Sequence, residues 1–236
     1  MLSILGLITA RGRSKGIPHK NVAILAGRPL IAWTIEAALR SQKLSRVIVS
    51  TDDQEIAKVA KEWGAEVPFI RPAELAGDRS SHIAVVVHAV RWLESHQDAH
   101  PDYLMLLQPT SPFRSSSDID AAIEIALKTG ADAVVSVCPT RDHPYLSKRI
   151  TPDGRLLDFV PKPQGYLARQ ILPPAHSLNG AIYLVRCSIL LEKKTWYTDR
   201  TFAYIMTPER SLDIDTPWDL YLADLILGDK SKHENC

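Results

Sequence analysis

The chain has 236 residues, 45% of them hydrophobic and 23% charged, and a formal net charge of +1. Such a chain reads as one globular domain, or one domain with an insertion. It lacks the basic excess of a nucleic-acid binder and has no apolar run near the ~20 residues of a membrane span. Cys138, Cys187 and Cys236 are too scattered for a zinc or disulfide framework, which points to reduced thiols in the cytoplasm.

In chain order, residues 2–8 read as a buried strand, too short and too soon followed by charge to be a signal peptide. Residues 9–21 follow as Thr-Ala-Arg-Gly-Arg-Ser-Lys-Gly-Ile-Pro-His-Lys-Asn, with Arg11, Arg13, Lys15 and Lys20 around Gly12 and Gly16. The loop is neither Gly-x-x-x-x-Gly-Lys-Ser/Thr nor Gly-x-Gly-x-x-Gly. It has the physics of an anion site nonetheless. Glycines let backbone N–H groups approach an anion, Arg offers a planar fork of donors, and Lys a mobile charge. Exposed like charges packed this densely imply a polyphosphate to balance them.

A helix is expected over 29–39 with Pro29 in its first turn, a strand at 46–50, and a helix over 53–63 closed by Gly64. A short strand is expected at 67–70, and a helix opened by Ser80 and Ser81 runs to about Ser95. Residues 103–107 are apolar without alternation, the mark of a strand covered on both faces. Ser116, Ser117 and Asp118 cap a helix to Lys128, stopped by Gly130, and 133–137 is the next strand. This βαβα order argues for a mostly parallel sheet with helices on both faces.

The pattern breaks at Pro139. Residues 139–178 hold seven prolines and little periodicity, and a structureless loop of that length is unusual in a compact domain. The segment reads as an insertion with its own small structure: a lid, an arm or a subunit contact. Strands are expected again at 181–185 and 202–206, with a helix over 217–227. The predicted organisation is therefore a main domain of 1–138 plus 179–228, an inserted segment 139–178, and a frayed tail 229–236.

Ser211-Leu212-Asp213-Ile214-Asp215-Thr216-Pro217 is the second constellation. If extended, it turns Asp213 and Asp215 to one face, about 7 Å apart at the backbone, and Leu212 and Ile214 inward. Two such carboxylates suit Mg²⁺ (or Mn²⁺) held together with substrate phosphates. Asp215 also reads as an N-cap before Thr216-Pro217.

Ala10-Arg11-Gly12-Arg13-Ser14-Lys15-Gly16-Ile17-Pro18-His19-Lys20-Asn21 resembles the signature of the acylneuraminate cytidylyltransferases. The likeness continues through Val49-Ser50-Thr51-Asp52, Arg71-Pro72-Ala73-Glu74-Leu75-Ala76, Leu107-Gln108-Pro109-Thr110-Ser111-Pro112, Asn179-Gly180-Ala181-Ile182-Tyr183 and Ser211-Leu212-Asp213-Ile214-Asp215. The resemblance implies a Rossmann-like, three-layer α/β nucleotidyltransferase fold with an inserted dimerisation arm, a homodimer, and transfer of CMP from CTP to a nine-carbon α-keto acid sugar. Carried over by motif, Arg11, Ser14, Lys15, Lys20, Asn21, Arg71 and Ser81 would bind the nucleotide. Arg11 and Lys20 would also stabilise charge on the reacting phosphates, and Asp213 and Asp215 would hold the metal. Gln108, Tyr183 and Arg169 would meet the acidic keto sugar, Arg169 through its carboxylate and from its own or the partner subunit.

The sequence departs from the family pattern twice. His82 stands where a small hydroxyl is expected, and Ala175-His176-Ser177-Leu178 lacks the arginine that often precedes Asn-Gly in sialic-acid members. The second departure leaves legionaminate-like and pseudaminate-like sugars open. Activation of 3-deoxy-manno-octulosonate is a further alternative, opposed by Lys15-Gly16 where that family has Arg-Leu. A non-catalytic nucleotide-sugar sensor is another, opposed by the retained aspartates.

Overall fold

The computed structural model describes residues 2–77, 80–161 and 169–233; the side chains of Arg169 and of residues 229–233 lie outside that description. The described residues form ten strands and six α-helices. The strands are β1 (Ile4–Thr9), β2 (Ile24–Leu25), β3 (Arg28–Pro29), β4 (Arg46–Ser50), β5 (Tyr103–Leu107), β6 (Ala133–Pro139), β7 (Lys148–Ile150), β8 (Leu156–Asp158), β9 (His176–Arg186) and β10 (Thr201–Ile205). The helices are α1 (Leu30–Leu39), α2 (Gln54–Glu62), α3 (His82–Gln97), α4 (Ser116–Thr129), α5 (Cys187–Lys193) and α6 (Pro217–His233).

Six strands form the central sheet in the order β10-β6-β9-β5-β1-β4. β1 pairs in parallel with β4 and β5, and β10 with β6. β9 runs antiparallel between β5 and β6, so the sheet is mixed rather than uniformly parallel. β5 is buried along its whole length, as its unbroken apolar run requires.

Two apolar layers cover the sheet. On one face Ile31 and Ile35 of α1, Ile56 of α2, and Ile119 and Ile123 of α4 pack on Ile8, Val49 and Met105. On the other, Val86, Val90 and Leu93 of α3 and Leu190 of α5 pack on Leu7, Ile48 and Leu104. The chain therefore crosses one face through α1 between β1 and β4, keeps α2 on that face, and reaches β5 across the opposite face through α3. That reversal leaves a crevice beside β1 at the carboxyl ends of the strands, where α/β sheets bind ligands. A smaller third cluster joins Ile17, Leu25, Leu30, Phe113, Ile214 and Ala223. It is the floor under that crevice.

Local signals explain the helix boundaries. Asp53 caps α2 by accepting from the backbone N–H groups of Glu55 and Ile56, and Ser81 caps α3 through Ala84 N–H. Ser115, not Ser116, caps α4: its hydroxyl accepts from Asp118 N–H while the Asp118 carboxylate accepts from Ser115 N–H, a reciprocal capping box. Pro29 lies one residue ahead of α1, at its N-cap.

Several expectations are corrected. Residues 67–70 form no strand; only single bridges, Ile48 to Glu66 and Thr51 to Ile70, flank Pro68, which has no N–H for a ladder. β9 begins at His176 rather than residue 181, because Pro139, Cys138 and Val137 pair with His176, Ser177 and Leu178 across a bulge. α5, seven residues long, was too short to show a period. α6 extends to His233 rather than ending near residue 227; residues 234–236 lie outside the described residues. The inserted segment carries the two-stranded β7–β8 hairpin and a 3₁₀ turn at Pro144–Leu146, so it does have structure of its own.

Asp118 is fully buried. Besides closing the capping box, it accepts from Tyr204 Oη at 2.7 Å and Arg210 Nη1 at 2.9 Å, tying α4 to β10 and to the segment entering Ser211. Asp118→Ala removes the acceptor for all of these donors. It should cost about 3 kcal/mol of unfolding free energy in urea titration; a loss below about 1 kcal/mol would contradict this role.

Candidate functional site

The crevice is a cleft of about 410 Å³ whose walls come from distant parts of the chain: Arg11, Ser14, Lys15, Gly16, Lys20 and Asn21, then Arg71, Ser80 and His82, then Gln108 to Thr110, then Asp213 and Asp215. A second hollow of about 520 Å³ adjoins it and shares Ser14, Lys15, Ala76 and Gly77, with Arg13 and Asp52 added. The cationic loop and the aspartate segment thus meet in one place.

Lys20 makes the join. Its ammonium donates to the Ile214 carbonyl at 2.9 Å and to Asp215 Oδ1 at 3.0 Å. Beneath it, Ile17 and Ile214 share the third apolar cluster. Burial of Ile214 turns its neighbours Asp213 and Asp215 outward, as the alternation requires. Gly16 completes the contact: a Cβ there would fall on the Asp215 carbonyl oxygen.

The aspartates differ in environment. Asp215 is exposed and, against the capping expectation, does not cap α6. Thr216 does: its hydroxyl accepts from Asp219 N–H at 3.3 Å, and Asp219 accepts in return from Thr216 N–H at 2.7 Å. The Asp215 carboxylate is left to Lys20 and to the cleft. Asp213 is half-buried; desolvation pushes its carboxyl above the ordinary range, a Thr110 hydrogen bond partly offsets this, and Asp215 adds to it. Its Oδ1 is buried with no hydrogen-bond partner among the described residues. A buried carboxylate oxygen with a second carboxylate close by suits a divalent cation. The described residues hold no group of three or more His, Cys, Asp or Glu able to do so alone, so any such ion would draw further ligands from substrate oxygens.

The other expected residues fall as follows. Arg71 is buried, donates to Ser50 O at 3.1 Å and lies 3.7 Å from Asp52; burial holds its guanidinium below the usual range, with Asp52 opposing and Arg11 adding. Asn21 reaches the cleft, but its Nδ2 is engaged with the Arg11 carbonyl at 2.9 Å, so it shapes the loop. Ser81 is engaged as the α3 cap, and Ser80 lines the cleft instead. Gln108 stands at the end of β5 inside the cleft. Tyr183 packs on Trp196, ring centroids 5.4 Å apart, within the apolar layer beside α3 and α5, and is not among the cleft-lining residues. The Arg169 side chain lies outside the described residues.

Three supporting residues were not singled out from the sequence. Asp52 accepts from Gly12 N–H at 3.1 Å, holding the cationic loop against β4. Asn179 accepts from Ser136 Oγ at 2.6 Å and donates to Ser211 Oγ at 2.9 Å, fixing the segment that leads to Asp213. Arg114, fully buried, donates to the carbonyls of Gln108 and Ala181; burial lowers its guanidinium to about 10, opposed by Asp118. The sequence signal for Asp52 was its place at a strand end, but Asn179 and Arg114 act through partners far away in the chain.

Residues 5–230 match the cytidylyltransferase family. The chain is 39% identical over 230 residues to a CMP-N,N'-diacetyllegionaminic acid synthase of Legionella pneumophila, covering 96% of this chain and 97% of that one. It is 34% identical over 231 residues to an N-acylneuraminate cytidylyltransferase of Escherichia coli O18:K1:H7, covering 98% of this chain but 54% of that protein. Among solved structures, a CMP:2-keto-3-deoxy-manno-octonic acid synthetase in complex with CTP aligns with a TM-score of 0.72 at 18% identity, over 97% of this chain and 99% of that one. A 4-diphosphocytidyl-2C-methyl-D-erythritol synthase of Anaerococcus prevotii aligns with a TM-score of 0.68 at 15% identity, over 96% and 99%. The latter two share the fold.

The raised Asp213 carboxyl has a testable consequence. The native state holds that proton more tightly than the unfolded chain, so the residue weakens the fold as pH rises through the ordinary aspartate range to the folded value, and the cost persists at neutral pH. Without divalent ions, Asp213→Asn should melt at a higher temperature than wild type at pH 7.5, with the gap closing toward pH 4. A gap independent of pH would remove the charge-burial account.

Proposed function

The chain belongs to the cytidylyltransferase family, and from that premise we propose that it transfers CMP from CTP to a nine-carbon α-keto acid sugar, releasing pyrophosphate. The observation that carries the reading is the convergence of the cationic loop and both aspartates on one cleft, joined by Lys20. In the reaction the anomeric hydroxyl attacks the α-phosphorus and the bond to the β-phosphate breaks. Negative charge grows on the leaving pyrophosphate. Arg11, Lys15 and Lys20 supply fixed positive charge where it grows, a stabilisation that needs no reorganisation at the moment of reaction.

Asp213 and Asp215 would hold Mg²⁺, or Mn²⁺ in its place. That ion would neutralise triphosphate charge and polarise the phosphoryl oxygens. Ser14 offers a hydroxyl donor to the phosphates, Arg71 sits at the inner wall, and Gln108 faces the sugar. Arg169 is assigned to the sugar's carboxylate, for which a guanidinium is the natural bidentate partner.

The acceptor we favour is an N,N'-diacetyllegionaminate-type sugar. Support comes from the full-length relative of that name and from the missing arginine before Asn179-Gly180. A cytoplasmic setting suits CTP as substrate, and no helix among the described residues is long and apolar enough to cross a membrane. The test is pyrophosphate release with CTP and Mg²⁺ against N,N'-diacetyllegionaminate, N-acetylneuraminate and 3-deoxy-manno-octulosonate. Release is expected with the first at the highest kcat/KM. Release with the octulosonate alone would reassign the acceptor, and CTP binding without release from any sugar would replace the enzyme by a sensor.

We assign the inserted hairpin to a homodimer contact. Its Ile150, Leu156 and Phe159 are each about two-thirds or more exposed (73%, 66% and 67%), costly for a lone chain to leave in water. Replacing all three by Ser should convert a dimer to a monomer in light scattering; a dimer that persists would free the hairpin from this role.

A further inference from the structure

We propose that His82 is a positioning residue that sets which end of the Gln108 carboxamide faces the cleft, and so the sense in which the acceptor's hydroxyls are read. The inference rests on the assignment of Gln108 to the sugar.

The geometry leaves Gln108 one freedom. Its backbone carbonyl is held by Arg114 Nη1 at 3.2 Å and Thr34 Oγ1 at 3.4 Å. Its side-chain Nε2 lies 3.5 Å from His82 Nδ1. The opposite end, Oε1, is 3.0 Å from where a Cβ on Gly180 would stand, and Asp213 Oδ2 is 3.7 Å from the same point. Gly180 adopts a positive φ of 74° and, having no side chain, keeps that hollow open. Two acceptor oxygens therefore border a space that a hydroxyl donor would fill, while the amide N–H groups are turned away toward His82.

A carboxamide is asymmetric, and His82 decides its direction. His82 opens α3 directly after its cap, Ser81, so its backbone is fixed at the cleft wall that its side chain lines. With the imidazole neutral and Nδ1 unprotonated, that nitrogen only accepts, and Gln108 must present its NH₂ to it. With the ring protonated both nitrogens donate. Gln108 then turns its carbonyl to the ring and its NH₂ toward Asp213 Oδ2, and the hollow no longer receives a hydroxyl. Burial, then Arg11, then Arg71 hold the imidazole below its ordinary value, which favours the receptive orientation at neutral pH. The same cleft also presents Lys15, Lys20, Asp213 and Asp215; a bound triphosphate would oppose the arginines. The small hydroxyl expected at this position both donates and accepts, and would impose no direction.

The first test needs no substrate. In ¹⁵N spectra of the whole protein, the Gln108 side-chain amide signals, assigned by their loss in Gln108→Ala, should shift with pH at the midpoint of the His82 ring and stay flat in His82→Asn. Amide signals that ignore a titrating His82 would overturn the proposal. The second uses N,N'-diacetyllegionaminic acid at saturating CTP. His82→Leu should lower kcat/KM for the sugar about 10-fold, the scale of one lost hydrogen bond, with KM for CTP within about 2-fold. Asn carries Oδ1 where His carries Nδ1, so His82→Asn should recover to within about 3-fold of wild type at pH 8 and lose the acid limb of the sugar profile. Equal damage in both variants, or equal damage to sugar and CTP, would also overturn it. Should no sugar be turned over, the proposed function falls while the spectra still decide the pairing of His82 with Gln108.

Discussion

Lys20 holds the two halves of the site together. Its ammonium spans 194 and 195 positions of sequence to reach the Ile214 carbonyl and the Asp215 carboxylate. The cation does not act alone. Ile17 and Ile214 are buried in one cluster beneath it, so apolar packing brings the segments into reach and the charge sets their register. Burial of Ile214 also fixes the outward direction of Asp213 and Asp215. Without that floor, the loop and the aspartates would be two surface features of opposite charge with no defined separation.

The same constraint leaves the site poised. Positive charge on Arg11, Lys15, Lys20 and Arg71 faces Asp213 and Asp215 across about 410 Å³. Lys20 is paired with Asp215, so an entering polyphosphate competes with that carboxylate for the ammonium. Asp213 is kept in a state that its burial disfavours, a cost that a cation would relieve. Rigid elements carry these groups: Thr9 ends β1, Gln108 follows β5, and Arg114 pins the Gln108 turn to β9. Preorganised charge on such a scaffold is what phosphoryl chemistry needs, because the reacting atoms require little besides position and field.

Much of the scaffold was legible because its signals are local. Tyr103–Leu107 announced itself as a doubly covered strand, Arg46–Ser50 by β-branching, α2 by the Gly64 that closes it (φ 91°), and α3 by Ser81 at its cap. The misses have physical causes. α5 is shorter than two helical turns. The antiparallel course of β9 cannot be read from composition, since a buried strand has the same apolar content in either direction. Ser115 lost the cap of α4 to its neighbours because three serines in a row differ only in where the helix starts.

The sequence alone determined the chemistry of the two motifs and the order of the longer helices and the main-sheet strands, because charge, glycine content and hydrophobic period are properties of neighbouring residues. Tertiary structure decided what those motifs are to each other. It engaged Asn21 Nδ2 in the loop and Ser81 in the α3 cap, packed Tyr183 in the apolar layer, and freed Asp215 by giving the α6 cap to Thr216. It also placed His82 against Gln108 and Gly180 beside Asp213. The caps are local, but the pairing of His82 with Gln108 and of Lys20 with Asp215 joins groups 26 and 195 residues apart, brought together by which face of each element the core buries.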